Sequence, residues 1–259
     1  MRSMGEGARA PHSHAVGRAT GQQKYVCGSG RPLHRLRRSP SPAARVRKPP
    51  PPQGANIVSL SFTHRFEPGT DPTLPPLLLL HGTGGDETDL IPLGRTVAPG
   101  AALLSPRGKV LENGMPRFFR RLREGVFDEA DVIRRAGELA DFIAEARDAY
   151  GLAAPIALGF SNGANIAAAV LLLQPKALAG AALLRAMVPL SAPPKADLDG
   201  TPVLLVSGKM DPIVPIENAA RLSRLLSEAG AGVRHEVLPV GHGLSQTDVT
   251  LVADWLARL

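Results

Sequence analysis

The chain has 259 residues, 44% hydrophobic and 20% charged, ordinary for a soluble globular protein and enough for one large α/β domain or two small ones. No run approaches the roughly 18 apolar residues that a membrane span needs. The net charge of +7 would point to a nucleic-acid partner if it were spread evenly, but residues 1–54 hold eleven Lys/Arg against one acid, Glu6, leaving 19 basic and 22 acidic residues in 55–259. Cys27 is the only cysteine, which excludes an intrachain disulfide and a cysteine-ligated metal site and fits a reducing, cytoplasmic compartment.

Residues 1–54 are rich in Arg, Pro, Gly and Ser and end near Lys48-Pro49-Pro50-Pro51-Pro52. With almost no apolar periodicity they cannot bury enough surface to offset their ordering entropy, so a disordered extension is expected. The segment lacks the apolar core of a secretory signal. A transit peptide shares its composition, and charge alone would allow nucleic-acid binding, but an extension without a folded role is the favoured reading.

From residue 55 a folded domain is expected to run to 259. Ile57 to Phe66 alternates like an edge strand and is stopped by Pro68-Gly69. Leu77 to Leu80 is a short apolar run, the mark of a strand covered on both faces, and Ala101 to Pro106 makes another. Asp128 to Tyr150 reads as a helix, with Val132, Ala136, Leu139, Ile143 and Ala146 on one face and Gly151 past its end. Pro155 to Phe160 is a strand, followed by an apolar helix from Asn162. Further strands are expected at 178–184, 202–207 and 233–238, and an amphipathic helix at 217–229. Ser245-Gln246-Thr247-Asp248 resembles a capping box opening a last helix that carries Val252, Trp255 and Leu259. The connection 189–201 has three prolines and no helical period, so no large lid is inserted there. Strands alternating with helices predict an α/β fold, a mostly parallel sheet covered on both faces.

Gly159-Phe160-Ser161-Asn162-Gly163 lies where a strand turns into a helix, the setting of a nucleophile elbow. A serine at so sharp a turn has a strained backbone, and its neighbours two residues away must be small. Asp211 and His242 follow later strands, and sites in such sheets form at the carboxyl ends of strands. Ser…Asp…His is the chain order of α/β-hydrolases. A hydroxyl needs an imidazole to take its proton, and the imidazole needs a carboxylate to fix its tautomer. The backbone N–H of Asn162 and that of Thr83, within His81-Gly82-Thr83-Gly84-Gly85, are the candidate oxyanion donors.

These segments, with Lys209-Met210-Asp211-Pro212-Ile213-Val214-Pro215 and Gly241-His242, resemble the phospholipase/carboxylesterase family of α/β-hydrolases over about residues 55–259. The resemblance implies an α/β-hydrolase fold without a large lid and a serine esterase for small-molecule carboxylic esters or thioesters, working without metal or organic cofactor. Asn162 stands where acyl-protein thioesterases often have Gln, and Leu184-Arg185-Ala186-Met187 where they often have Ser-Gly. The sequence is closer to a bacterial carboxylesterase-like subgroup, some of whose members are associated with resistance to quinone-type compounds. An acyl-protein thioesterase or lysophospholipase remains an alternative, as does a binding protein without turnover; a homodimer is left open.

Each candidate also has a plainer reading. Ser161 would serve as a helix N-cap, Asp211 as a turn former, and Glu217 or Asp248 as helix-start residues. His81 is expected to brace the oxyanion loop and His235 to lie within a strand. Gly82, Met115, Phe118, Phe119 and Met187 are candidate substrate-binding residues. The basic stretch from Arg117 to Arg123 would either attract an anionic substrate or be solvated, and its aromatics would either wall a pocket or pack inward.

Overall fold

A computed structural model of the chain describes residues 60–259. The predicted N-terminal extension, and residues 57–59 of the predicted first strand, lie outside the described residues. Chain order is β1 (His64–Glu67), β2 (Leu77–Leu80), α1 (Ile91–Val97), β3 (Leu103–Pro106), β4 (Val110–Glu112), β5 (Met115–Arg117), β6 (Arg121–Arg123) and β7 (Val126–Phe127). There follow α2 (Glu129–Tyr150), β8 (Ile156–Phe160), α3 (Asn162–Leu173), β9 (Gly180–Leu184), β10 (Pro202–Gly208), α4 (Ile216–Glu228), β11 (Gly232–Leu238) and α5 (Gln246–Leu256).

Seven strands form one sheet in the order β1-β3-β2-β8-β9-β10-β11. Every pairing in it is parallel except β1 with β3. Successive side chains on a strand point to opposite faces, and two cores follow. Leu78, Leu80, Ala157, Ala181, Leu183, Val203 and Leu205 pack beneath α2, α3 and α4. Leu77, Leu79, Ile156, Leu158, Ala182, Leu184, Leu204 and Val206 pack beneath α1 and α5. The apolar runs read as doubly covered strands are therefore covered, one residue set per layer.

The helix over 129–150 is fixed at both ends. The Asp128 carboxylate accepts from the Asp131 N–H, and Gly151 closes it at φ 67°, a left-handed conformation that suits glycine. In the last helix Ser245 and Asp248 complete a reciprocal capping box.

Three expectations need correction. The first strand starts only at His64, because Ser61 donates to the Glu145 carboxylate and Phe62 turns into the core. Leu259 lies beyond the last helix and is exposed. The stretch from Asn113 to Arg123, whose plainer reading is a surface loop, is instead built into two small antiparallel ribbons outside the main sheet, β4-β5 and β6-β7.

Candidate active site

The carboxyl ends of β2, β8, β9, β10 and β11 meet on one rim, where ligands bind in parallel sheets. Ser161 follows β8 at φ 51°, a strained left-handed backbone, and its N–H donates to Leu184 O at 2.8 Å. A Cβ at Gly159 would lie 2.7 Å from the Ala164 N, and one at Gly163 would overlap Leu80 O and His81 O. The two small residues are thus required by main-chain contact, not by the motif alone.

His242 Nε2 lies 2.9 Å from Ser161 Oγ, and its Nδ1 lies 2.8 Å from Asp211 Oδ2. A carboxylate only accepts, so Nδ1 carries the proton and Nε2 is left to accept from the serine hydroxyl. The Asp211 side chain is fully buried. Its other oxygen accepts from the N–H groups of Ile213 and Val214, at 2.8 and 3.1 Å, so every edge of the carboxylate is engaged. The two loops are laced together by Lys209 N–H to Leu238 O and Met210 N–H to Val240 O.

Among the described residues, neither the Thr83 nor the Asn162 N–H is engaged by another group; Asn162 opens α3, where no intrahelical acceptor exists. His81 is fully buried below this loop. It donates from Nδ1 to Gly82 O at 2.7 Å and accepts at Nε2 from the Gly108 N–H at 3.0 Å. Burial lowers its pKa, partly opposed by the bond to Gly82, so it stays neutral and keeps that tautomer. Gly84 holds φ +85°, and its N–H donates to Pro116 O, tying the loop to β5. His235 is remote from this chemistry, bonded to Ser207 within the sheet at 2.9 Å.

A cavity of about 310 Å³ opens over Ser161 and His242. Thr83, Asn162, Asn165, Arg117 and Arg121 give its polar wall; Phe127, Phe160, Met187, Ile213 and Val214 give its apolar one. Met187, a candidate substrate-binding residue, is thus on the cavity wall. Phe118 and Phe119 do not line the cavity: they are buried in the core, held because the Phe118 N–H donates to Asn162 Oδ1 at 2.7 Å. Met115 is exposed and sits against Gly84 outside the cavity, and Gly82 backs onto the Phe160 ring.

The sequence model of the phospholipase/carboxylesterase family matches residues 64–259. The chain belongs to that family. It is 46% identical over 194 residues to a hydrolase named MhqD from Bacillus subtilis, covering 74% of this chain and 96% of that one. The carboxylesterase of Bacillus cereus superposes with a TM-score of 0.75 at 45% identity, over 76% of this chain and 94% of that one. A carboxylesterase from Mesorhizobium loti superposes at 0.74 with 35% identity, over 78% and 97% of the two chains. The protein is a carboxylesterase-type hydrolase of the α/β-hydrolase fold.

In this esterase one further residue, not singled out from sequence as part of the site, bears on the imidazole. Arg185 follows β9 at φ 59° and is fully buried. Its Nε donates to Gly241 O and its Nη2 to Gly243 O, both at 3.1 Å, so it grips the chain on either side of His242. Its Nη1 donates to Val206 O, and both Nη atoms bind Asp248 at 2.7 and 2.9 Å. All five guanidinium protons are used. Burial raises the Asp248 carboxyl, but the bonds from Arg185 and Ser245 outweigh it and hold it below the usual carboxylate range. Asp248 therefore caps α5, as the sequence suggested, and also anchors Arg185. The sequence signal was a lone charge inside the run from Gly180 to Leu190, since a buried arginine is almost always paired.

Proposed function

We propose that this esterase cleaves small-molecule carboxylic esters through an acyl-enzyme on Ser161. In this reading His242 takes the hydroxyl proton as Oγ attacks the carbonyl carbon, and the N–H groups of Thr83 and Asn162 receive the developing oxyanion. The proton then passes to the departing alkoxide, leaving an ester on Oγ. Water, deprotonated by the same imidazole, releases the acid and restores the serine. Asp211 keeps the tautomer and stabilises the imidazolium. The observation that carries this is the unbroken hydroxyl–imidazole–carboxylate chain, at 2.9 and 2.8 Å, beside two unengaged N–H groups.

A cavity of about 310 Å³ is at the low end of small-molecule sites, roughly 300–1,000 Å³, and favours a short acyl group over a fatty chain. Among the described residues no helix is long and apolar enough to cross a membrane. A cytoplasmic setting suits a chain whose one cysteine is Cys27. Ser161→Ala should abolish hydrolysis of short p-nitrophenyl esters with the fold retained by circular dichroism, and an organophosphonate should label Ser161. Full activity in that variant, or labelling elsewhere, would refute the assignment.

A further inference from the structure

The polar wall of the cavity holds more positive donor capacity than the hydrolysis itself requires. Arg117 is only 3% exposed, and it shares one carboxylate with Arg121. Glu112 faces Arg117 Nε at 3.1 Å and accepts from Arg121 Nε at 2.8 Å. Arg117 Nη1 donates to Thr83 Oγ1 at 2.8 Å, and its Nε reaches Phe119 O at 3.2 Å. Among the described residues no hydrogen bond is made by Arg117 Nη2 or by either Nη of Arg121, and both residues line the cavity. Those nitrogens are not sealed from solvent, so an acceptor that enters the cavity can reach them.

Burial lowers the Arg117 pKa and the charge of Arg121 adds to that, while Glu112 and Glu124 oppose it. A third donor stands on the same wall: Asn162, 2% exposed, has its Oδ1 occupied by the Phe118 N–H and its Nδ2 without a partner. Arg185 does not add to this set, because Asp248 neutralises it. Besides the shared Glu112, Glu124 is exposed at the cavity edge and lies within 4 Å of neither arginine.

We infer that the preferred substrate bears a free carboxylate on its acyl side, received by Arg117 and Arg121, making mono-esters of short dicarboxylic acids better substrates than neutral esters of the same size. The inference rests on the acyl-enzyme reading above. Two guanidinium forks present the planar donor geometry that a carboxylate matches, and charge-assisted bonds of this kind are the stronger ones. The spacing is short because Arg117 is bonded to Thr83, whose own N–H would meet the scissile carbonyl oxygen. Phe127, Met187 and Val214 would cover the methylenes between the two groups.

The test compares monomethyl succinate and monomethyl glutarate with methyl succinamate, an uncharged near-isostere, by proton release at low salt. The wild type should favour the charged esters in kcat/KM by at least about tenfold, and Arg121→Gln should cut that preference about 10- to 100-fold, chiefly through KM. Arg121→Lys should retain part of it, and Glu124→Gln should increase it by removing the competing carboxylate. Arg123→Gln, exposed and off the cavity, should leave it unchanged. Equal rates on charged and neutral esters in the wild type, or a preference untouched by Arg121→Gln, would overturn the inference while leaving ester hydrolysis intact. Absence of turnover on every ester would overturn the hydrolytic reading itself. Calorimetry of glutarate binding, with Arg121→Gln as comparison, tests the anion subsite apart from turnover: binding lost in the variant supports it, and no binding to the wild type refutes it.

Discussion

Replacing Arg185 by leucine removes five hydrogen bonds at once and leaves Asp248 as a buried carboxylate without its cation. Breaking one side of a buried pair costs about 3–5 kcal/mol, a large share of a typical total of roughly 5–15 kcal/mol. For a domain of this size each kcal/mol lowers Tm by roughly 2–4 °C, so a fall of about 6–20 °C is expected by differential scanning calorimetry. The second effect is on chemistry. Without the grip on Gly241 O and Gly243 O, His242 is free to drift, and a displacement near 1 Å can cost about 10²-fold in rate. Turnover of a neutral ester should therefore fall about 10²-fold at a temperature where the variant is still folded. Arg185→Leu combined with Asp248→Leu separates the two effects. Removing both charges should recover much of the Tm, less the lost helix cap, but none of the turnover. An Arg185→Leu enzyme that is folded and as fast as the wild type would refute the claim that this residue positions the imidazole.

Gly163→Ala should prevent formation of the elbow, because the added Cβ overlaps the fixed carbonyls of Leu80 and His81; insoluble expression, or a Tm drop well beyond an ordinary overpacking cost of about 1–3 kcal/mol, is the expected readout. Gly151→Ala meets no neighbouring atom, so its cost is the left-handed backbone alone, about 1–2 kcal/mol, and Tm should fall by only a few degrees with activity unchanged. Acidification should destabilise the protein in two stages. Burial holds the pKa of His81 and His235 below the ordinary value, so the unfolded chain takes up protons first, and stability should decline as pH falls below roughly 6.5. Asp131 and Asp248 are depressed by their bonds despite burial, so their contribution is complete above roughly pH 4 and is lost as pH falls further, through their folded values. Thermal melts across pH should show both slopes, and His81→Gln with His235→Gln should flatten the first.

The parts of the molecule legible in sequence are those written in local patterns. Four consecutive leucines at 77–80, the cap residues Asp128 and Gly151, and small residues around Ser161 each carry their cause within a few positions. What was missed depends on distant partners or weak signals. Helix α1 is seven residues long, carries Gly94 and has no side-chain cap and no acid in its first turn, so Pro92 near its start is the one weak signal that announces it. The ribbons at 110–127 have strands of two or three residues, too short for alternation to show. Phe118 and Phe119 looked like pocket walls, since aromatics near a basic loop serve either purpose; an acceptor 44 residues away, Asn162 Oδ1, turns that segment inward. Arg185 finds its carboxylate 63 residues on, a pairing no window on the sequence contains.

The contact of Gly163 with the carbonyls of Leu80 and His81 makes the turn that presents the serine and the loop beside it a single inelastic block of main chain. By contrast, Arg117, Arg121 and Glu124 are borne on two short ribbons outside the seven-stranded sheet. Yet the ribbons are bonded to that block at three points: the Gly84 N–H to Pro116 O, Arg117 to Thr83 Oγ1, and the Phe118 N–H to Asn162 Oδ1. Grafting residues 110–127 from another esterase of this family should therefore alter turnover together with substrate preference, unless the graft preserves those three bonds.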